Sequence, residues 1–410
     1  MKFYVLFDLY CNVITIMLFY RFLNMVLKLS EVSEIKINQS IKPKNSFNGH
    51  EMKYYISTVI ITQLSLLTLN VLISKNKVLS KHKTKGIVIS SSLIMLCSLA
   101  ELFGVLLDGS IIFPRTVHIA VKYVEFCTAS IIPMVVSTAF YPIKSKKIVF
   151  IPNIIHIVLE TINLFFNFIF YVDKNNIYHH GKAYLVYYLF VFLSVLYLFY
   201  IVDKFASRYQ NRNRSSLLII FTFLAIGVVF PNIEKDIKIE WLTVAIAMIL
   251  FYIYYCNMMN QLDVLTELLN RRTYEVHKSS LKRKAFILII DVNNFKDVND
   301  RLGHTLGDSC LKTIASVIRN VYKKYGRSYR IGGDEFCVII DKIFNFSNIN
   351  IEDLNSKLHE KLSRQRWESE KIPSVAIGYA LFDPKTMQIS DAIKEADAQM
   401  YKNKKQIKSF

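Results

Sequence analysis

The chain has 410 residues, enough for two or three domains. A hydrophobic fraction of 52%, a mean hydropathy of +0.29 and only 12 Gly and 8 Pro describe long apolar segments with few breaks. That composition excludes a disordered, collagen-like or ordinary soluble single-domain protein. The formal charge of +19 would suit nucleic acid, so its location matters. Residues 1–256 carry 25 Lys+Arg against 13 Asp+Glu, and 257–410 carry 26 against 19. The excess is largest in the most apolar half, where membrane topology calls for basic loops, so no nucleic-acid partner is expected. The six cysteines, Cys11, Cys97, Cys127, Cys256, Cys310 and Cys337, form no CxxC pair and imply neither a disulfide framework nor a zinc site.

In chain order, residues 1–53 open with an apolar run over 3–27, interrupted by Asp8, Asn12 and Arg21, and continue as a polar stretch. The run reads as an extra membrane helix with a cytoplasmic N-terminus; the alternative is a signal peptide. Residues 54–256 follow as a transmembrane region of seven spans at 54–74, 86–107, 116–140, 148–171, 183–202, 215–231 and 239–256. Lys75, Lys77, Lys81, Lys83 and Lys85 follow the first span, Lys144, Lys146 and Lys147 the third, and Lys204, Arg208, Arg212 and Arg214 the fifth. The other loops are poorer in charge or balanced. The positive-inside rule then places the basic loops, and everything after Asn257, in the cytoplasm. Glu101, Lys122, Glu125 and Glu160 fall inside these spans. Charge at bilayer depth is costly, so they either form a ligand- or ion-sensing pocket or pair structurally, as Lys122 and Glu125 can from three residues apart.

Residues 257–410 change to short β-like runs and amphipathic helices. Lys284–Ile290 reads as a buried strand ending at Asp291, followed by a helix near 295–301, a loop Gly303–Asp308 and a helix near 308–323. Tyr329–Ile331 leads into Gly332-Gly333-Asp334-Glu335 and a second strand, Phe336–Ile340. A helix near 351–364, a strand Ser374–Leu381 and a helix 388–405 complete a compact α/β domain of the split βαβ kind. A strand end at Asp291 beside a turn holding Asp334 and Glu335 would gather three carboxylates, hard ligands suited to Mg²⁺. Asn294-Phe295-Lys296 before a helix would favour an anion. Carboxylates for metal beside amides for phosphate suggest a nucleoside triphosphate.

These residues resemble the GGDEF-domain diguanylate cyclases. Gly332-Gly333-Asp334-Glu335-Phe336 matches the signature, and Asp263-Val264-Leu265-Thr266 with Asn270-Arg271-Arg272 resembles the opening motif. Asp291-Val292-Asn293-Asn294-Phe295-Lys296, Asn299-Asp300, Gly303-His304 and Gly307-Asp308 resemble the central run. Ala396-Asp397, Met400-Tyr401 and Lys404 resemble the closing helix. The resemblance implies a nucleotidyl-cyclase-like fold and condensation of two GTP into cyclic di-GMP by a homodimer, with Mg²⁺ or Mn²⁺ as cofactor. It implies that Asp291, the Val292 carbonyl, Asp334 and Glu335 hold the metal, and that Asp334, Glu335 and Lys296 are catalytic. Phe295, Asn299, His304 and Asp308 would line the guanine pocket, with Lys404 and Lys408 on the triphosphate. The alternative is a non-catalytic receptor for GTP or cyclic di-GMP.

Three positions depart from the family pattern: Glu267 stands for a glycine, Asn293 for an aspartate, and Ile407-Lys408-Ser409 for Gly-Arg-Asn. None removes a metal ligand. The family's product-binding Arg-x-x-Asp is replaced by Lys323-Lys324-Tyr325-Gly326, so no inhibitory site is expected. Only about six residues separate the last span from Asp263, leaving no room for an intervening signalling module. No EAL-type phosphodiesterase domain is expected after Phe410. The whole reads as a multi-pass protein of the bacterial cell membrane with a cytoplasmic catalytic domain.

Overall fold

The computed structural model describes residues 49–76, 81–140, 149–208, 214–233, 237–341, 349–367 and 370–408. The N-terminal apolar run, the loop bearing Lys144, Lys146 and Lys147, and the side chains of Lys77, Lys81, Arg208, Arg212 and Lys408 lie outside the described residues and side chains. Two compact units result, the second beginning at Ile253 and also taking in residues 206–214.

Among the described residues, seven helices make the first part: α1 (Gly49–Lys75), α2 (Lys81–Leu107), α3 (Arg115–Phe140), α4 (Ile151–Phe166), α5 (Tyr184–Arg208), α6 (Arg214–Ile233) and α7 (Glu240–Met259). Of these, α1, α2, α3, α5 and α7 are long and apolar enough to cross a bilayer, which marks this as a membrane protein. The run 148–171 is not one helix. Asn167 adopts left-handed backbone at φ 57° and caps α4 after 16 residues, its amide returning to the Asn163 carbonyl. The Asn163 side chain then receives the Ile169 amide at 2.6 Å and donates to the Phe170 carbonyl at 3.0 Å. This fastens a hairpin of β1 (Phe170–Val172) and β2 (Tyr178–His180) against Phe126 of α3.

Helix α4 is polar inside and apolar outside. Its buried residues are Asn153, His156, Glu160 and Asn163, whereas Ile151, Ile154, Val158 and Phe165 are exposed. That inverts the soluble pattern and suits a helix whose outer face meets lipid. The four intramembrane ionisable groups all meet partners. Lys122 Nζ donates to Glu125 Oε2 at 2.9 Å, Tyr55 Oη donates to Glu101 Oε2 at 2.9 Å, and Glu160 Oε1 lies 3.2 Å from His156 Nε2, close but without hydrogen-bond geometry.

The second unit contains α8 (Arg271–Ser279), β3 (Ala285–Val292), α9 (Phe295–Leu302), α10 (His304–Tyr322), β4 (Arg327–Arg330), β5 (Glu335–Ile340), α11 (Ile351–Ser363), the short strands β6 (Arg366–Trp367) and β7 (Glu370–Lys371), β8 (Val375–Phe382) and α12 (Ile389–Lys408). The main sheet has the order β4-β5-β3-β8, with every neighbouring pair antiparallel. Each β-helix-β crossover therefore leaves room for one strand between its two strands, the expected split βαβ arrangement.

Strand alternation divides the core. Leu288, Ile290, Phe336, Val338 and Ile340 share one cluster with Ile314, Ile318 and Leu358 of α10 and α11. Ile287, Ile289, Cys337 and Ile339 share the other with Ala392, Ala396 and Met400 of α12. Continuing these alternations by two residues gives Asp291 on β3 and Glu335 on β5. Continuing the α12 stripe by one turn gives Lys404. The fold thus brings these three to one end of the α12-side face.

Candidate functional site

Asp291 and Glu335 are register partners across β3 and β5. The Val292 amide donates to the Asp334 carbonyl at 3.3 Å, so the ladder bond lies beyond the pair and Asp291–Glu335 is a non-hydrogen-bonded position. Such positions bring side chains closest, with Cα atoms about 4.5 Å apart, and like charges there are destabilising. A fold that needed only a stable sheet would not place two carboxylates in this register. The compensating charge is Lys404, whose Nζ forms an ion pair with Asp291 Oδ1. Asp291 is buried, Asp334 half-buried and Glu335 exposed.

The turn between β4 and β5 is tight. The amides of Ile331 and Gly332 both donate to the Glu335 carbonyl, at 3.0 and 3.3 Å. Arg330 pins its tip, donating from Nη2 and Nε to the Gly333 carbonyl at 2.8 and 3.2 Å, and from Nη1 to Asp263 Oδ1 at 3.1 Å. Asp263 Oδ1 also accepts from the Thr266 amide at 2.8 Å and hydroxyl at 2.6 Å. Partial burial works to raise the Asp263 pKa, but the Thr266 and Arg330 donors outweigh it and hold the carboxyl below the usual range. The opening motif therefore belongs to the same assembly as the acidic turn. Sequence reading missed Arg330, although a cation two residues before the glycine pair was a visible signal.

Asn294 adopts left-handed backbone at φ 54° and starts α9, placing Phe295 and Lys296 in its first turn. The first amides of α9 are directed as an anion site requires. Asn299 lies against Gly307, where a Cβ would collide with Asn299 Oδ1 and approach Phe295 Cζ to 3.3 Å. A side chain at Gly307 would have to displace the Asn299 carboxamide from its place between α9 and α10. This close approach sets Asn299 beside the residue preceding Asp308. Lys296, His304 and Asp308 are exposed, and Phe295 packs partly on the core. Lys408 ends α12 with its side chain outside the described ones.

Asp291, Asp334 and Glu335 supply hard oxygen ligands of the kind Mg²⁺ takes, carried on one strand end and the adjoining turn. Among the described residues, however, no three His, Cys, Asp or Glu side chains stand close enough to hold a metal. The expected gathering is one of backbone positions rather than of converged carboxylates, and Lys404 contacts Asp291 directly. At Asn293, one departure from the family, the amide and Nδ2 donate to the Ser374 carbonyl and hydroxyl, both at 2.9 Å, tying the ends of β3 and β8.

The family described as "Diguanylate cyclase, GGDEF domain" matches residues 260–409. Those residues are a GGDEF domain. Diguanylate cyclase DgcP of Escherichia coli is 29% identical over 189 residues, covering 44% of this chain and 52% of DgcP. Uncharacterized membrane proteins of Staphylococcus aureus are 31% identical over 156 residues, covering 35% of this chain and 43% of the relative. The chain spans about half or less of the length of these relatives. Among solved structures, the GGDEF domain of YfiN from Pseudomonas aeruginosa is 29% identical, with a TM-score of 0.31 covering 35% of this chain and 89% of that one. The GGDEF domain of DgcB from Caulobacter crescentus, in complex with c-di-GMP, is 24% identical, with a TM-score of 0.32 covering 36% and 88%.

The likeness reaches the diguanylate cyclase class at family level, and the family match itself covers the GGDEF domain. The first glycine of the family's opening motif is Glu267 here, at φ 57°, with the Glu267 carboxylate 3.7 Å from Arg319 Nη1.

Proposed function

We propose that the protein is a membrane-bound diguanylate cyclase that condenses two GTP into cyclic di-GMP and diphosphate, under control of its multi-pass membrane region. The observation that carries this reading is the Asp291–Glu335 pair. Two carboxylates occupy the closest cross-strand register at the mouth of the Gly-Gly-Asp-Glu turn, an arrangement that costs stability and serves cation-dependent phosphate chemistry.

In this reading each domain of a homodimer holds one GTP. The 3′-hydroxyl of one attacks the α-phosphate of the other as diphosphate leaves, and the reciprocal attack closes the ring. Asn299 and Asp308 receive guanine, where a carboxylate can accept from N1–H and the 2-amino group, which adenine lacks. Phe295 and His304 border the pocket. The first amides of α9 and Lys296 receive the phosphates, and Lys296 offsets negative charge developing during transfer. Asp334 accepts the 3′-hydroxyl proton. Asp291, the Val292 carbonyl, Asp334 and Glu335 would hold Mg²⁺ or Mn²⁺, which would supply Lewis-acid polarisation and charge neutralisation. Lys404 and Lys408 serve the triphosphate. Facing two such domains turns an intermolecular displacement into a positioned one, so a lone domain binds substrate without closing the ring.

The basic loops support a cytoplasmic GGDEF domain, and the α7 junction supports control by helix movement. Product inhibition through the Arg-x-x-Asp position is not expected. At Gly326 a Cβ would collide with the Ile339 carbonyl, so the aspartate position has no room for a side chain.

The full-length protein incubated with GTP and Mg²⁺ tests this. Cyclic di-GMP should accumulate with the wild type and not with Asp334→Ala. A folded wild-type dimer that binds GTP yet forms no cyclic dinucleotide would leave the receptor reading in its place.

A further inference from the structure

Lys404 reaches Asp291 because the apolar stripe of α12 continues along its length. Ala392, Ala396 and Met400 pack on the sheet at four-residue intervals, and Lys404 is the next position. Its ammonium meets Asp291 Oδ1, with both side chains largely withdrawn from solvent. One strand away, Glu335 is the partner of Asp291 in the closest register. Two carboxylates and one ammonium thus leave a net negative set in which the position next to Asp291 is taken by a tethered cation.

We propose, building on the cyclase reading, that Lys404 is a latch on the metal site. In the nucleotide-free protein its ammonium neutralises Asp291 and competes with a divalent cation. An incoming triphosphate, a stronger anion than one carboxylate, draws Lys404 across and releases Asp291 as a ligand. Metal binding is then coupled to nucleotide binding, which keeps the site from loading productively before substrate arrives. Two observations converge here: the direct ion pair of Lys404 with Asp291, and the register that sets Glu335 beside the same carboxylate. The coupling is electrostatic, because one lysine cannot neutralise Asp291 and a triphosphate equally well at once.

The test uses Mn²⁺ alone, titrated into the full-length protein and followed by the electron paramagnetic resonance of free Mn²⁺. Wild type and Lys404→Arg should bind Mn²⁺ weakly. Lys404→Met and Lys404→Gln should bind it about tenfold more tightly, a conservative effect for one adjacent, partly screened unit charge. A non-hydrolysable GTP analogue should tighten Mn²⁺ binding in the wild type and do so less in the Met and Gln variants. The latch is overturned if removing the ammonium leaves Mn²⁺ affinity unchanged. Because a triphosphate chelates Mn²⁺ by itself, the latch is equally overturned if wild type with the analogue removes no more free Mn²⁺ than wild type and analogue do separately, a measurement that requires no variant to fold. These readouts separate the two proposals. The latch stands if the Mn²⁺ differences appear without cyclic di-GMP synthesis, and the cyclase stands if synthesis occurs without them.

Discussion

Arg330 donates to Asp263 across 3.1 Å while the same guanidinium holds the Gly333 carbonyl at 2.8 Å. One planar fork therefore joins the segment just after α7 to the tip of the acidic turn, a geometry lysine cannot reproduce. Arg330→Met should destabilise the GGDEF domain by about 2 kcal/mol, the scale of losing hydrogen bonds that involve a charged group. Synthesis of cyclic di-GMP should fall by more than the unfolded fraction explains, because the turn loses its anchor. Arg330→Lys should recover part of the stability and little of the activity. Denaturant unfolding alongside product formation checks both, and equal losses in the two variants would remove the argument for the fork.

The Asp263 carboxyl adds a pH signature. Its folded pKa lies below its unfolded value, because Thr266 and Arg330 outweigh the opposing effect of burial. The charged form is thus favoured by folding, and its stabilisation is present above the unfolded pKa of about 3.9 and is lost as pH falls through the lower folded value. Between pH 5 and pH 8 the contribution should be flat. Comparing wild type with Asp263→Asn in urea melts, the stability gap should stay constant over that range and narrow only below about pH 4. A gap that instead closes near neutrality would show that Asp263 is not the group responsible.

Glu267 at φ 57° occupies backbone that costs a residue with a Cβ about 1 kcal/mol or more. Its carboxylate, nearly half exposed, gains little from Arg319 at 3.7 Å. Glu267→Gly should therefore stabilise the domain by about 0.5–1 kcal/mol, read as a higher urea midpoint with unchanged slope. Glu267→Ala, which keeps the strain and loses the ion pair, should not stabilise it.

The sequence exposed much of this architecture for particular reasons. The apolar blocks Lys284–Ile290 and Phe336–Ile340 each adjoin acidic residues, so Asp291 could be placed at a strand end and Glu335 in the turn beside it before their register was seen. Arg330 was visible as a cation two residues before the glycine pair, but its role was not, because Asp263 lies 67 residues from it and Gly333 three, and only the fold makes them one contact set. The end of α4 was missed because apolar residues resume at Phe168. The Asn163 and Asn167 pair that stops the helix sits within a run of the right hydropathy. The polar stripe of α4 was visible as Asn153, His156, Glu160 and Asn163 at helical spacing, but hydropathy averaging reads through it.

That stripe carries its own prediction. His156 and Glu160 are wholly buried 3.2 Å apart, with Ser130 Oγ 2.9 Å from His156 Nδ1. Removing one partner of a buried pair leaves the other uncompensated, typically at a cost of about 3 kcal/mol, whereas replacing both by apolar residues of similar size is often close to neutral. In the purified full-length protein, His156→Leu should lower the thermal midpoint clearly, and His156→Leu with Glu160→Met should recover most of it. A double variant no better than the sum of the single ones would mean that the two groups do not act as a pair.

The junction between α7 and the GGDEF domain sets the last expectation. Helix α7 runs unbroken to Met259, and only residues 260–262 precede Asp263. Asn270 clasps this short segment. Its Nδ2 donates to the Asn260 carbonyl at 2.8 Å and to the Leu262 carbonyl at 3.3 Å, and its amide donates to the Gln261 carbonyl at 2.9 Å. The same side chain caps α8 by accepting from the Thr273 amide. A helix held by a clasp transmits rotation, whereas a flexible linker would absorb it. Inserting one to four alanines into α7 just before Asn260 rotates the downstream chain by about 100° per residue. Cyclic di-GMP synthesis should vary with insertion length, falling most for two residues and recovering for four, which completes about one turn. Replacing residues 260–262 by a long Gly-Ser linker, or Asn270 by Ala, should flatten that periodicity. Activity that is equal at every insertion length would exclude a rigid helical link between membrane and cyclase.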